Sequence, residues 1–394
     1  NWMKKRGAEI KSQLRFLTSK QHASIDLNHL PSDDLFNDDR TYSKINYQFN
    51  PSLNTQIEVT GEYASDTNYF EDLSQSTNES SRTHLTRDVA FKSFGKNWVM
   101  NLGMTNYQIL DDQPKCLAIG ICDQNDPYRL KPYMNFNASW QSKKSKINFN
   151  IDSEVVFFDH LQSESGKRMR NRTTLSKLFN FSGIEVTPAV ALDYAKFKPD
   201  ANEKDTDRTI PIYSLDIKAN LIKISNDGDV RQSIQPRVMA VYIPFEDQSE
   251  FPFIDTLMPD FNYFQLFNEN RFIGNDRIGD TSKISYGIVA KRTRIQSGKD
   301  FFEFTLGQTL HLKDEKVAMP GESLRRSGSL TNLASMNIAM TESLNLKLDH
   351  YWDSDVDQIK RSQVGIEYKD SGSKRLNLAY RFRKQNIKQV RGSF

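Results

Sequence analysis

Met134-Asn135-Phe136-Asn137-Ala138-Ser139-Trp140, a polar break at 141–145, then Ile147-Asn148-Phe149-Asn150-Ile151-Asp152: this stretch decides the fold class. Apolar and polar residues alternate strictly on both sides of the break. Side chains of a strand point to opposite faces with period two, so each half presents one apolar and one polar face. A helix would space its apolar residues three and four apart. The break has the length of a hairpin connection.

The same alternation recurs outward in both directions. Ile45, Tyr47 and Phe49 alternate with Asn46 and Gln48, and Ile57, Val59 and Tyr63 oppose Glu58, Thr60 and Glu62. Leu215, Ile217, Ala219 and Leu221 form another apolar row, as do Phe302, Phe304 and Leu306. Leu344, Leu346 and Leu348 continue the series, and Leu376, Leu378, Tyr380 and Phe382 close it. Short polar breaks near 18–22, 50–54, 94–97, 141–145, 180–184, 224–230, 296–300 and 370–374 alternate with long ones. The long ones fall at 31–39, 65–82, 111–130, 159–169, 197–208, 245–280 and 313–326. Outer-membrane barrels segregate loop lengths in this way, with short periplasmic turns and long outer loops. The expected fold is therefore all-β, a transmembrane antiparallel β-barrel with roughly eighteen strands of ~10–14 residues. The first strand, about 3–17, is expected to run toward the periplasm. An open sheet edge in lipid leaves unpaired N–H and C=O groups, so the strands must belong to a closed barrel.

Composition narrows the function classes. Of 394 residues 26% are charged, and the mean hydropathy is −0.66. No stretch approaches the ~18 uncharged apolar residues of a spanning helix. A polar average suits a barrel whose lumen face and outer loops are hydrophilic. A net charge of +3 with both signs mixed lacks the field of a nucleic-acid binder. The two cysteines, Cys116 and Cys122, rule out a disulfide scaffold and most zinc sites. They form either a local disulfide in a long outer loop or two free thiols. There is no Gly-x-Ser-x-Gly elbow, no His-Glu-x-x-His and no P-loop, and the six histidines lack metal spacing. No enzyme activity, cofactor or metal is expected. Asn226-Asp227-Gly228-Asp229 reads as a hairpin turn rather than a calcium loop. Asp33, Asp34, Asp38 and Asp39 are either a solvated loop face or a site for divalent ions. Lys291, Arg292 and Arg294, and likewise Arg381, Arg383 and Lys384, either line a polar lumen or rim or meet lipid phosphates.

The least generic stretch is 236–280. It carries Pro236-Arg237, Tyr242-Ile243-Pro244-Phe245, Asp247-Gln248-Ser249 and Pro252-Phe253-Ile254-Asp255-Thr256. Pro259-Asp260-Phe261-Asn262, Gln265-Leu266-Phe267, Asn270-Arg271-Phe272, Gly274 and Asp276-Arg277-Ile278-Gly279-Asp280 follow. In order and kind these elements resemble the long loop of the LptD family of lipopolysaccharide-assembly proteins. Lys5-Arg6-Gly7, Leu14-Arg15-Phe16-Leu17, Leu30-Pro31, Asp38-Asp39-Arg40 and Asp126-Pro127-Tyr128-Arg129 agree at lower specificity.

The resemblance implies a Gram-negative outer-membrane transporter that inserts lipopolysaccharide into the outer leaflet and breaks no bond of its cargo. It implies a 26-stranded barrel with a seam between first and last strands. It also implies an LptE-like plug lipoprotein in the lumen, and a periplasmic jelly-roll domain that receives lipopolysaccharide from a bridge protein. The jelly-roll, the terminal strands and the seam have no counterpart here. The chain, 1–394, is thus expected to be a single partial barrel from a longer protein, with Phe394 an arbitrary cut. A diffusion porin or other large barrel, and a soluble all-β adhesin, are the competing readings.

The candidate site is the loop 245–280. Asn270, Arg271, Asp276, Arg277 and Asp280 are expected to form a buried ion-pair and hydrogen-bond cluster. Phe261, Tyr263, Phe264, Leu266, Phe267 and Phe272 are expected to anchor it by burial. Either the loop folds into the lumen and meets the plug through Phe267, Asn270, Arg271, Phe272, Asp276, Arg277 and Asp280, or it sits on the surface held by its own polar network.

Overall fold

The computed structural model describes residues 2–394 apart from 75–76, 81, 111–125, 162, 201–203, 260, 323, 354–357, 371–373 and 385–386. Strand dominates the described residues. Nineteen strands of seven or more residues stand against three helices of at most five, close to the expected eighteen. No helix is long and apolar enough to cross a membrane, which leaves strands as the spanning elements to consider. Cys116 and Cys122 lie outside the described residues.

Two compact units are present. The first contains an antiparallel meander of Ile10–Leu17, Gln21–Asp33, Asp38–Ser52, Thr55–Ala64, His84–Phe94, Trp98–Ile109 and Arg129–Gln141. Two helices, Tyr69–Leu73 and Thr77–Ser80, interrupt its long connection. Tyr69 and Phe70 bury against Ala64, Leu85 and Leu110. Arg40, fully buried, pins that connection through Asp66 (2.7 Å) and Asp72 (2.7 Å), and also meets Asp33 at 3.2 Å. Asp33 accepts further bonds from Arg6 at 2.6 Å and from the Leu35 N–H at 3.0 Å. Asp33 therefore serves the fold, and among the described residues no group of three or more His, Cys, Asp or Glu is placed to hold a metal.

The second unit contains a longer meander. Thr206–Ala219 and Leu221–Ile224 pair with Val230–Ile243, which pairs with Thr281–Arg294 and then Asp300–His311. Leu330–Ala339, Leu344–Asp353, Gln358–Lys369, Arg375–Arg383 and Ile387–Ser393 follow, each antiparallel to the last.

The alternation read from the sequence is realised side by side. Along Thr281–Arg294, Thr281, Lys283, Ser285, Gly287, Lys291 and Thr293 share one face, and Ile284, Tyr286, Ile288 and Ala290 share the other. On Asp300–His311 the partition is Glu303, Thr305, Gly307, Thr309 and His311 against Phe302, Phe304, Leu306 and Leu310. Large apolar side chains stay exposed on the second face, among them Val238, Tyr242, Tyr286, Leu306, Leu376 and Leu378. In water such rows would be a liability. Facing lipid they are what a barrel exterior requires.

Local chemistry explains the turns. In the break at 141–145 the Ser142 N–H donates to the Ile147 carbonyl at 2.9 Å, with Lys146 at φ +57°. Gly228 closes the Asn226–Asp229 turn at φ +79°. Three details depart from the sequence reading: the first strand, expected over about 3–17, is confined to Ile10–Leu17, with Trp2–Met3 and Gly7–Ala8 forming a separate short hairpin. The expected long loop at 31–39 shrinks to a tight turn, because the strand runs to Asp33 and its partner resumes at Asp38. A turn at 340–343 was not signalled, since it has neither glycine nor proline. There the Thr341 hydroxyl accepts from the N–H groups of Ser343 (3.2 Å) and Leu344 (3.0 Å), the side-chain mimic of a backbone turn.

Candidate functional site

The loop after Ile243 begins where Pro244 removes a donor and ends the strand. It doubles back over its own sheet. Leu266, Phe267 and Ile278 are buried against Ala191, Ile210, Ile212, Met239, Val241 and Ile243, with Phe261 and Tyr263 at the margin. A buried Leu or Phe contributes roughly 1.5–3 kcal/mol, so this cluster is the main fastening.

The seat is cut by two glycines. Gly287 and Gly307 are direct partners on neighbouring strands. A Cβ on Gly287 would lie 2.8 Å from the Tyr263 ring and 3.2 Å from Phe267. One on Gly307 would lie 2.2 Å from Leu266 Cδ1. Both glycines belong to the polar face, the face of Lys283, Ser285, Thr305 and Thr309. The short helix Tyr263–Leu266 occupies the depression, capped by Asn262, whose side chain accepts from the N–H groups of Phe264 and Gln265. Lys283 Nζ donates to the Asn268 carbonyl at 2.6 Å, and the Ser214 hydroxyl donates to Glu269 at 2.7 Å.

The polar residues picked out in the sequence hold the loop's backbone. Asp276 Oδ2 accepts from the N–H groups of Ile254 (2.8 Å), Asp255 (2.7 Å) and Thr256 (3.2 Å). Asn270 accepts from the Gly279 N–H at 2.9 Å and donates to the Arg277 carbonyl at 2.9 Å. Gln248 does the same for both backbone groups of Ile278, at 2.8 and 3.0 Å. Arg277 donates to the Phe251 carbonyl and lies 4.0 Å over the Phe253 ring. Gly274, at φ +87°, lets the chain pass so close to Asp255 that a Cβ would sit 2.2 Å from its carbonyl oxygen.

Asp280 and Arg271 fasten a second loop, 312–329. Asp280 accepts from the N–H groups of Lys316 (2.9 Å) and Val317 (2.8 Å). Arg271 pairs with Glu315 and donates to the Val317 carbonyl, with Glu322 at 3.4 Å. Thr281 donates to Glu315 at 3.0 Å, His311 lies 3.3 Å from it and Arg325 3.9 Å. Burial raises the Glu315 carboxyl, but the neighbouring His311 ring and the Arg325 and Arg271 charges outweigh it and hold it at about 2. Burial lowers Arg271 against the pull of Glu315.

The expected cluster is thus present with different partners. Asp276 and Asp280 accept from backbone amides and also act on the Arg277 and Arg271 charges, while the carboxylate that pairs directly with Arg271 is Glu315, which the sequence reading missed. Of the seven residues, Phe267, Arg271, Phe272, Asp276, Arg277 and Asp280 are buried. Exposed on the loop instead are Phe264 (76%), Leu257 (61%), Met258 and Ile273, together with the acidic stretch Glu246, Asp247 and Glu250. Lys291 and Arg294, weighed above as phosphate ligands, have acidic neighbours: Glu303 lies 3.1 Å from Lys291 and Glu342 3.6 Å from Arg294.

Comparison with known proteins adds three findings. The family model "LptD: LPS transport system D" matches residues 38–394. "LPS-assembly protein LptD" of Thiobacillus denitrificans is 27% identical, covering 98% of this chain and 53% of that protein. Its namesake in Shewanella denitrificans is 28% identical over 96% of this chain and 50% of that protein. The chain spans about half the length of the curated relatives it matches. Among solved structures, the copper transporter OprC is similar at a TM-score of 0.43 and 10% identity, over 95% of this chain and 64% of that one. That likeness is too weak to carry an assignment.

Proposed function

The chain belongs to the LptD family, the transmembrane antiparallel β-barrels that assemble lipopolysaccharide in the Gram-negative outer membrane, and from that premise we propose that it forms part of the conduit delivering lipopolysaccharide to the outer leaflet. The role is non-enzymatic: the cargo moves and keeps its bonds. The observation that carries the reading is where the long loop packs. It covers the face on which Lys283, Ser285, Thr305 and Thr309 stand beside Met239, Val241 and Ile243, and leaves the opposite, apolar face bare, as lipid contact requires. In a barrel the polar face is the lumen, so the loop narrows the passage from within.

In this reading the buried residues Phe267, Arg271, Phe272, Asp276, Arg277 and Asp280, with the half-buried Asn270, give the loop its shape. A plug lipoprotein in the lumen meets it through Phe264, Leu257 and Met258. The periplasmic bridge protein acts through a domain of the full-length protein outside this chain. The test is depletion of the full-length protein in its host, followed by labelling of newly made lipopolysaccharide. Lipopolysaccharide made but withheld from the surface is the expected result. Normal surface arrival overturns the proposal, and planar-bilayer conductance then tests a diffusion pore.

A further inference from the structure

At the long-loop end of the strand Val230–Ile243, two lysines of the loop 312–329 lie over aromatic rings. Lys313 Nζ stands 5.2 Å from the centre of the Tyr242 ring, and Lys316 Nζ 5.1 Å from that of Phe245. Tyr213, in register opposite Tyr242, stacks on it with ring centres 6.2 Å apart. All five side chains are exposed. Tyr213 and Tyr242 belong to the apolar side of the sheet, the side of Leu215, Val238 and Tyr286. From Val230 to Tyr242 the strand rises ~40 Å, or ~28 Å along the membrane normal at a tilt of ~45°. A strand that enters the ~30 Å apolar layer at Val230 therefore reaches its outer boundary at the tyrosines.

Among the described residues neither amine forms an ion pair. The acids nearest in the chain are engaged elsewhere: Asp314 accepts from the Ser327 N–H at 2.7 Å, Asp247 from the Ser249 N–H at 3.0 Å, and Glu315 is held by Arg271. Glu246, beside Phe245, is exposed and pairs with neither lysine. Lysines of the polar face are matched instead, Lys283 by the Asn268 carbonyl at 2.6 Å and Lys291 by Glu303 at 3.1 Å. An ammonium over a ring keeps most of its charge for an outside anion, while its stem lies along apolar surface. At the boundary of a bilayer that anion is a lipid phosphate, because aromatic rings settle in the headgroup layer and draw the amines in beside them.

We propose that Tyr213, Tyr242, Phe245, Lys313 and Lys316 form a site on the outer wall that retains an anionic lipid of the surrounding leaflet, with its phosphate on the two amines and its acyl chains along Leu215 and Val238. The backbone presents the site ready made: the Lys316 N–H donates to Asp280 at 2.9 Å, and the Leu312 N–H donates to the Ser282 carbonyl at 2.7 Å. The site faces away from the lumen and holds a boundary lipid, so it needs only the barrel's place in the outer membrane and stands apart from the transport reading.

The experiment uses the purified full-length protein with a photo-crosslinking residue at 215, one lipid-facing step below Tyr213. A second preparation carries it at 346, on the same side of the strand Leu344–Asp353. Each is placed in phosphatidylcholine vesicles containing a small fraction of phosphatidic acid, and the adducts of the two lipids are compared after illumination. Phosphatidic acid should be enriched about tenfold over its share of the vesicle at 215, the gain expected from two lysines at a membrane surface, and should show no enrichment at 346. Lys313→Gln together with Lys316→Gln should abolish the enrichment, and Arg at both positions should keep it. As a check that leaves the lysines in place, added salt should weaken the enrichment at 215. Equal enrichment at the two positions, or enrichment at 215 that is indifferent to the Gln pair or to salt, overturns the site. Neither result bears on lipopolysaccharide delivery, which the depletion experiment tests separately.

Discussion

The strands Val230–Ile243, Thr281–Arg294 and Asp300–His311 and the strands from Gln358 to Ser393 are built on one pattern, apolar on one face and polar on the other. They differ in what lies on the polar face. The first set carries a loop, and beneath it Lys283 reaches a carbonyl, Ser285 meets Thr309, and Arg237 finds Asp216. The second set carries no comparable cover among the described residues, and it brings Arg361 opposite Arg383 and Lys369 opposite Arg375. The contrast teaches that the polar face of a sheet is not one environment. Where chain covers it, buried charge must be matched at once or it costs several kcal/mol. Where it is open, water screens charge and lets like-charged residues stand in register.

The comparison breaks most readily at Glu315. Glu315→Ala leaves Arg271 buried without its carboxylate, a loss of about 3–5 kcal/mol. The two loops should come apart, seen as new protease cleavage within 244–280 and 312–329 and as entry of bulky antibiotics; intact loops in that variant would show that the pair does not hold them. Gly274→Ala should follow at about 2–3 kcal/mol, from positive φ and the clash with the Asp255 carbonyl together. Its signature is loosening of 253–258 alone, read by hydrogen exchange.

Acid gives a graded version. The folded Glu315 carboxyl lies at about 2, below its ordinary 4.5, so its stabilisation is complete above 4.5 and is lost as pH falls toward 2. Protease resistance of the loops should be the same at pH 7 and pH 5 and should decline below about 4.5; a decline already at pH 6 would assign the switch elsewhere. The smallest effect belongs to the open strands. Lys369→Gln relieves one opposed pair and should raise resistance to urea by a few tenths of a kcal/mol. A clear destabilisation would mean that Lys369 has a partner after all.

Much of the strand pattern could be read directly, because period-two alternation depends only on neighbours in sequence. Asn270, Arg271, Asp276, Arg277 and Asp280 were recognisable as one cluster for the same reason. Glu315 was not, since it meets Arg271 across 44 residues and nothing in Lys313-Asp314-Glu315 marks one acid over the other. The 340–343 turn was missed because a threonine hydroxyl makes it. Gly287 and Gly307 did leave a trace: an isolated glycine inside an alternating strand signals close approach of another group.

That pair of glycines has a consequence for assembly. Each lies on the polar face only while the two strands are in their present alignment. A slip of one residue would turn Gly307 to lipid and bring Leu306 or Gln308 beneath the short helix, and the depression would vanish. The loop therefore fits only a pair in this alignment, which ties its docking to the finished sheet.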